Sequence, residues 1–296
     1  MTVQNNYKKI NLIPQKKIYI EEHKVYNNII QQEIKTFIKR LYINTYRRPS
    51  SLIINIIQPL LWLILFGALF QNAPIYLYKG KNIQYKEFLN PGIIIFTAFN
   101  NSINAGLTTI FDREFGFLNR ILTSPIIYKN SLILSSIIHM WLITIIQIIT
   151  IITFNIFYLQ KIITLQQILM IIAISTLIII NISNISISNA FILPGHIEFL
   201  ALTTTLINIP TLFSSTALAP LSFMPYWLQI ITCINPLTYA IEIIRNTYLE
   251  NNIAFQNKVI DTVGFQINIR EGILILFITC ILSIVLVNKT IRYKYD

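Results

Sequence analysis

The sequence is poor in charged residues, in glycine and in cysteine. Only 12% of its 296 residues are charged and 54% are hydrophobic, whereas roughly 25% are charged in a typical soluble domain; this balance argues against a soluble fold. The two cysteines, Cys233 and Cys280, lie in apolar segments without ligand spacing, so neither a metal site nor an obligatory disulfide is indicated. None of the eight glycines forms a G-x-x-x-x-G-K-[ST] loop, which excludes a nucleotide-binding loop of that kind from this chain.

Long uncharged runs take the place of the missing charge. They cover residues 52–71, 88–111, 130–160, 162–196, 199–241 and 272–288, and about 20 apolar residues suffice for one membrane crossing. The fifth run is too long for one crossing and its second half is rich in proline, which predicts one helix followed by a re-entrant hairpin. We therefore predict an all-α membrane protein with six transmembrane helices, over residues 52–71, 89–111, 131–156, 166–190, 199–219 and 272–289, and a re-entrant helical hairpin before the last.

The polar N-terminus has two parts. Residues 1–30 are rich in lysine and asparagine and are predicted to be a weakly ordered arm, whereas residues 31–296 form one transmembrane domain. The domain opens with a helical stripe of apolar residues flanked by basic ones, which predicts an amphipathic helix along the inner interface. A helical flank that only fixes the topology explains the pattern equally well. The stripe comprises Ile34, Phe37, Ile38, Leu41 and Tyr42.

Lysine and arginine are unequally divided between the two predicted sides. The side that holds both termini and the 112–125 loop carries 16 of them, and the opposite side, with Arg245 counted there, carries seven. This bias assigns both termini and that loop to the cytoplasmic or stromal face. The net charge of +11 fits this bias together with anionic lipid headgroups. Because no nucleic-acid-binding motif accompanies the charge, no nucleic-acid partner is predicted.

Residues that could carry chemistry are few. His139 stands alone in the third span, and no cluster of histidine, cysteine or carboxylate residues shares a helix face. A lone histidine in a membrane helix is more often packed or hydrogen-bonded than functional, although a proton or ligand site is the alternative. The sequence therefore predicts no enzyme activity and no cofactor or metal in this chain; if ATP energises it, another chain must bind the ATP.

Two separated motifs together resemble the ABC-2 type transporter permease family, including members encoded in algal plastid genomes. The first begins at Phe88-Leu89-Asn90-Pro91-Gly92 and continues to Asp112-Arg113-Glu114-x-Gly116-x-Leu118-x-Arg120-x-Leu122-x-x-Pro125. The second runs through Pro220-Leu221-Ser222-x-Met224-Pro225-x-Trp227, Asn235-Pro236-Leu237-Thr238-Tyr239 and Arg245. One departure is Ser214-Ser215-Thr216, where the family commonly has a Ser-Gly pair, which bears on how closely the outer hairpin packs.

The resemblance implies an architecture and a partner. It implies six helices, an inner interfacial helix, short outer re-entrant helices, and a loop after the second helix that docks into a separate ATPase subunit holding ATP and Mg. It also implies a homodimer or a heterodimer with a related permease. The residues assigned to the coupling loop are Arg113, Glu114, Gly116, Leu118, Arg120, Leu122 and Pro125. Those assigned to the outer hairpin are Pro220, Pro225, Trp227, Asn235, Pro236, Tyr239 and Arg245.

The coupling loop suits such a contact physically. Leu118, Ile121 and Leu122 could form a short apolar stripe toward the partner, with Arg113, Glu114 and Arg120 as polar handles at its rim. Without the family pattern, a solvated turn that only fixes the topology would explain the charges as well.

The outer hairpin is marked by proline and asparagine. Pro220 and Pro225 are expected to end the fifth helix, Trp227 to lie at the interface, and Asn235-Pro236 to begin a return helix. On that helix Glu242 and Arg245 have the i, i+3 spacing of an ion pair. A lid over the pathway and a structural cap are both compatible with this pattern.

The sequence thus predicts the permease subunit of an ATP-driven exporter, in which a pathway lined by isoleucine, serine and asparagine suits many amphipathic substrates. An ATP-independent carrier or channel and a membrane assembly factor are the alternatives. Abundant isoleucine, asparagine and lysine are typical of AT-rich coding, which predicts a multi-pass protein of a plastid membrane, with a bacterial cytoplasmic membrane as the alternative.

Overall fold

The computed structural model describes residues 15–71, 84–123, 130–159, 163–192, 197–249, 258–262 and 265–295. Over these residues the chain forms ten α-helices, a 3-10 helix over Leu221–Phe223 and one two-stranded sheet. The helices are α1 Gln15–Tyr46, α2 Pro49–Leu69, α3 Tyr85–Glu114, α4 Phe117–Thr123, α5 Ser131–Leu159, α6 Leu165–Ile192, α7 Ile197–Phe213, α8 Tyr226–Ile234, α9 Pro236–Leu249 and α10 Ile269–Tyr295. The strands are β1 Lys258–Thr262 and β2 Phe265–Asn268, which pair antiparallel.

The helices confirm the prediction of an all-α membrane protein. Five of them, α2, α3, α5, α6 and α10, are long and apolar enough to cross a bilayer, and the bent pair α8–α9 raises the number to six if it counts as one span. The fifth predicted span, 199–219, differs in the structure because α7 ends at Phe213 and its apolar part is only Ala201–Phe213. Helices α8 and α9 follow in the proline-rich segment for which a re-entrant hairpin is predicted, and their axes meet at 87°.

Helix α1 is longer than its apolar stripe. It begins at Gln15, inside the segment predicted to be weakly ordered, because lysine, glutamine and glutamate favour a helix even without an apolar face. Within the stripe Leu41 is buried while Tyr42 is exposed. The Thr45 hydroxyl lies 2.9 Å from Nε2 of His139, so the C-terminal part of α1 packs on α5. Residues 1–14 lie outside the described part of the chain.

Helix α3 lies at the centre of the bundle. It begins at Tyr85, so Pro91 lies inside it rather than in the first turn of a span that starts at residue 89. At Gly106 the backbone of α6 comes so close that an added Cβ would lie 2.5 Å from the Ser186 carbonyl oxygen. The Ser186 hydroxyl donates to the Ile103 carbonyl at 2.5 Å and accepts from the Gly106 amide at 3.1 Å. Small residues and one hydroxyl therefore join these two membrane helices.

The short β-hairpin between α9 and α10 was not predicted. It falls in the charged outer segment, where Ile260 pairs with Ile267. Ile260 is buried in the same hydrophobic cluster as residues of α9, so the hairpin lies against the outer helices.

Candidate functional site

The loop between α3 and α4 is shaped by one glycine. Gly116 has a φ of +72°, in the left-handed region that residues with a Cβ rarely adopt. Its amide donates to the Arg113 carbonyl at 3.2 Å and closes the last turn of α3, after which α4 starts at Phe117. Gly116 therefore ends one helix and redirects the chain into the next.

The loop is fastened to α1 by an arginine. Nη1 and Nη2 of Arg40 donate to the two carboxylate oxygens of Asp112 at 3.0 and 2.5 Å. The guanidinium also lies over the ring of Phe117, 4.1 Å from its centroid. A bidentate pair with a cation–π contact fixes orientation as well as distance. Arg40 thus holds the end of α3 and the start of α4 against α1.

The apolar side of α4 faces the protein's own core. Leu118 is 3% exposed and Ile121 is also buried; Leu118 packs in a cluster that includes Met140 and Phe191. The expectation that this stripe contacts a partner is therefore wrong for these two residues, because the bundle already covers them. Pro125 and the side chain of Leu122 lie outside the described residues.

The polar residues of the loop divide into two groups. Arg113 turns inward and donates to the Ala190 carbonyl near the end of α6 at 2.9 Å, a favourable position for a cation. Glu114 and Arg120 are exposed, and between them along the chain Phe115 is 78% exposed. The side chains that the loop exposes thus include one aromatic ring and two opposite charges.

The outer hairpin is held by one asparagine. Nδ2 of Asn235 donates to the carbonyls of Thr211 and Ser214 at 3.2 and 2.9 Å, and its Oδ1 accepts from the Leu237 amide at 3.0 Å. This side chain therefore closes the end of α7 and the start of α9 together. Pro236 is the first residue of α9, where the missing amide hydrogen costs no helical hydrogen bond.

The remaining hairpin residues are placed around α8. Pro220 precedes a single 3-10 turn and Pro225 caps α8. Trp227 is 64% exposed, as suits a membrane interface. The Tyr239 hydroxyl donates to the Cys233 carbonyl at 2.5 Å, which ties α9 back to α8.

Arg245 joins the two motifs. Its side chain is fully buried and pairs with Glu242 one turn earlier on α9, which agrees with the spacing. Nε donates to the Phe88 carbonyl at 3.2 Å and Nη2 to the Thr216 carbonyl at 2.6 Å. The guanidinium carbon lies 3.7 Å from the centroid of the Phe88 ring. Arg245, which is counted among the basic residues of the opposite side, is therefore not exposed to solvent; the i, i+3 spacing shows the pair but not its surroundings.

Two further observations bear on chemistry. His139 is 4% exposed, and Thr45 is its hydrogen-bond partner. Across the described residues no group of three histidine, cysteine or carboxylate side chains is placed to hold a metal ion.

Comparison with known proteins identifies the family. Residues 32–249 match the family model described as ABC-2 type transporter. Three relatives carry the name "Putative transport permease ycf38". The one from Porphyra purpurea is 43% identical over 289 residues, which cover 98% of this chain and 98% of the relative. The one from Pyropia yezoensis is 44% identical, over 92% of this chain and 93% of the relative.

The third relative, from Cyanophora paradoxa, is 45% identical over 88% of this chain and 89% of its own length. These relatives are plastid-encoded, and the match extends over almost the whole length of each. The chain is a multi-pass membrane protein and belongs to the ABC-2 type transporter family.

Proposed function

We propose that this chain is the membrane-spanning subunit of an ATP-driven exporter and that a separate ATPase subunit docks on its α3–α4 loop. Two copies, or one copy with a related permease, form the substrate pathway, and the ATPase subunits hold ATP and Mg. Both termini and the loop lie on the stromal face of a plastid membrane. The observation that carries the proposal is the exposed ring of Phe115 between Glu114 and Arg120.

The exposed surface of the loop has the composition of a binding site. A central aromatic ring with a polar rim is the usual arrangement of an interface hot spot. Phe115 stacks on Phe111 with ring centroids 6.1 Å apart, and this contact restricts the orientation of the exposed ring. The exposed charges of Glu114 and Arg120 can pair with opposite charges in the cleft of the partner.

The rest of the loop is suited to transmit force. The Arg40–Asp112 pair binds it to α1, and buried Leu118 binds it to α3, α5 and α6. A displacement of the loop by a bound ATPase would therefore be transmitted to several helices. Motion requires that the ATP-bound and ATP-free forms of the ATPase bind this loop with different free energies.

Replacing Phe115 with aspartate should weaken ATPase binding about thirtyfold, as expected for a hot-spot residue worth about 2 kcal/mol. The measurement is binding of candidate ABC ATPases, one at a time, to the full chain in nanodiscs. Leu118 is unsuitable for this test because its burial would turn a docking variant into a folding variant.

Phe157→Asp is the matched control. Phe157 is 84% exposed and lies near the C-terminal end of α5, whereas the α3–α4 loop lies near its N-terminal end. The same substitution at Phe157 should therefore leave ATPase binding unchanged. Equal binding by the Phe115→Asp variant and the unchanged chain would show that the ATPase docks elsewhere. Failure of every candidate ATPase to bind the unchanged chain would favour an ATP-independent carrier or an assembly factor.

A further inference from the structure

A cavity of about 500 Å³ lies between α1, α2, α3 and α5, beside the α3–α4 loop. Its polar lining includes Asn44, Thr45, Arg47, Arg48, Asn101 and Asn104. Apolar side chains such as Leu52 and Ile143 line it as well. A cavity with both kinds of lining suits the part of an amphiphile where the headgroup meets the apolar chain.

The cavity has a positive charge without a counterion. Of its charged lining residues, Asp112 is neutralised by the bidentate pair with Arg40. Arg47 and Arg48 are exposed, and no carboxylate of the described residues pairs with either. Two guanidinium groups at the opening of a polar cavity, near the end of the bundle that carries the charged loop, favour a phosphate group.

His139 adds a second requirement. It lines the cavity and is 4% exposed, and its Nδ1 is buried without a hydrogen-bond partner. The Thr45 hydroxyl donates its single hydrogen to the Leu41 carbonyl at 3.0 Å, so it accepts from Nε2 of His139. The neutral ring then has its proton on Nε2, and Nδ1 is a buried acceptor without a partner. A ligand hydroxyl can satisfy it when the ring turns toward the cavity.

We propose that this cavity binds a phosphate ester that carries free hydroxyl groups, with Arg47 and Arg48 on the phosphate and Nδ1 of His139 accepting from a hydroxyl. An acidic membrane lipid with a polyol headgroup and a soluble polyol phosphate share this chemistry. The site is a property of the permease chain itself and goes beyond the proposed docking of an ATPase. It is tested without an ATPase, so its failure and the failure of the docking proposal are distinguishable.

The first experiment measures lipid retention by the full chain in phosphatidylcholine nanodiscs that contain phosphatidylglycerol, by native mass spectrometry. Arg47→Gln with Arg48→Gln should weaken retention of phosphatidylglycerol about thirtyfold, from about 1 kcal/mol for each arginine that hydrogen-bonds to the phosphate. The matched control is Lys35→Gln with Lys39→Gln, which removes the same charge from exposed positions of α1 outside the cavity. It should weaken retention by less than about threefold, because salt screens the attraction between distant lysines and the anionic headgroup.

Removing two arginines could reverse the orientation of the chain in the membrane, so a second variant leaves both of them in place. Asn44→Asp keeps both arginines and adds a carboxylate to the cavity; we expect it to weaken retention about tenfold through like-charge repulsion of the phosphate. The insertion of each variant is checked by protease access to an N-terminal tag.

The hydroxyl requirement is tested on the unchanged chain. Phosphatidylmethanol has the charge of phosphatidylglycerol but no free headgroup hydroxyl, so it should be retained about fivefold less, the equivalent of one hydrogen bond. His139→Phe should abolish this preference.

Glycerol 3-phosphate, titrated calorimetrically, distinguishes the two sources. If the arginine variant weakens its binding, the lysine variant does not, and phosphatidylglycerol is not retained, the ligand is a soluble polyol phosphate. That result would support the proposed site. The proposal is wrong if the arginine and lysine pairs weaken retention equally, or if neither probe binds selectively.

Discussion

Replacing Arg245 with alanine should destabilise the protein by about 3–5 kcal/mol, the usual cost of leaving one member of a buried ion pair without its partner. The Glu242 side chain is 4% exposed and the arginine is fully buried, so the variant would leave a buried carboxyl group without its cationic partner. The measurement is the apparent midpoint of thermal unfolding in detergent micelles, which should fall by roughly 10 °C.

The predicted effect is large because Arg245 bonds to three parts of the chain. Besides Glu242 on its own helix, it donates to the Phe88 carbonyl of α3 and to the Thr216 carbonyl in the turn after α7. Its removal leaves two carbonyls without their charged donor in addition to one carboxylate. Adding Glu242→Ala to Arg245→Ala should restore part of the lost stability but not all of it, because those carbonyls still lack a donor.

Arg270→Ala is the control for the arginine variant. Arg270 is exposed at the start of α10, so its loss should change the stability by less than about 0.5 kcal/mol. An Arg245→Ala variant as stable as Arg270→Ala would show that the buried pair contributes nothing net. A double variant less stable than either single one would contradict the account of a buried carboxyl group that has lost its arginine.

Local sequence was sufficient for much of this fold. The uncharged runs predicted the long membrane helices, since about 20 apolar residues leave few other options. Proline and asparagine predicted the hairpin because their effects act within a few residues, and Asn235-Pro236 does separate α8 from α9. The i, i+3 spacing predicted the contact between Glu242 and Arg245 for the same reason.

Contacts between distant residues could not be predicted in this way. Arg40 and Asp112 are 72 residues apart. The sequence shows each as one charged residue among others and does not indicate that the two form a pair. An apolar face of α4 was predicted, but only tertiary packing shows that Leu118 is buried in the bundle. The same limit applies to Phe88, whose carbonyl and ring are both used by Arg245.

The second large effect is expected at Gly92. A Cβ on this residue would lie 2.5 Å from the carbonyl oxygen and 2.8 Å from the Cα of Ala217. Both are backbone atoms of the turn after α7, which cannot yield as a flexible side chain does. Gly92→Ala should therefore destabilise the protein by about 3 kcal/mol, at the upper end of the cost of overpacking. The same thermal measurement in micelles checks it.

Gly67→Ala is the matched control in another membrane helix. The atoms nearest to its Cβ would belong to the flexible side chain of Lys86, the first at 3.1 Å, and alanine favours a helix over glycine by up to about 1 kcal/mol. This variant should be as stable as the unchanged chain or slightly more so. Equal effects at Gly67 and Gly92 would show that the close approach of α3 to the turn does not limit stability.

The two large effects should also be coupled through the turn after α7. Ala217, which a side chain at residue 92 would displace, directly follows Thr216, whose carbonyl accepts from Arg245. A shift of that turn would weaken the hydrogen bond that Arg245→Ala removes. The double variant Gly92→Ala with Arg245→Ala should therefore lose less stability than the sum of the single variants, by more than the roughly 0.5 kcal/mol within which independent sites add. Strict additivity would mean that α3 holds the turn at Gly92 independently of the buried arginine.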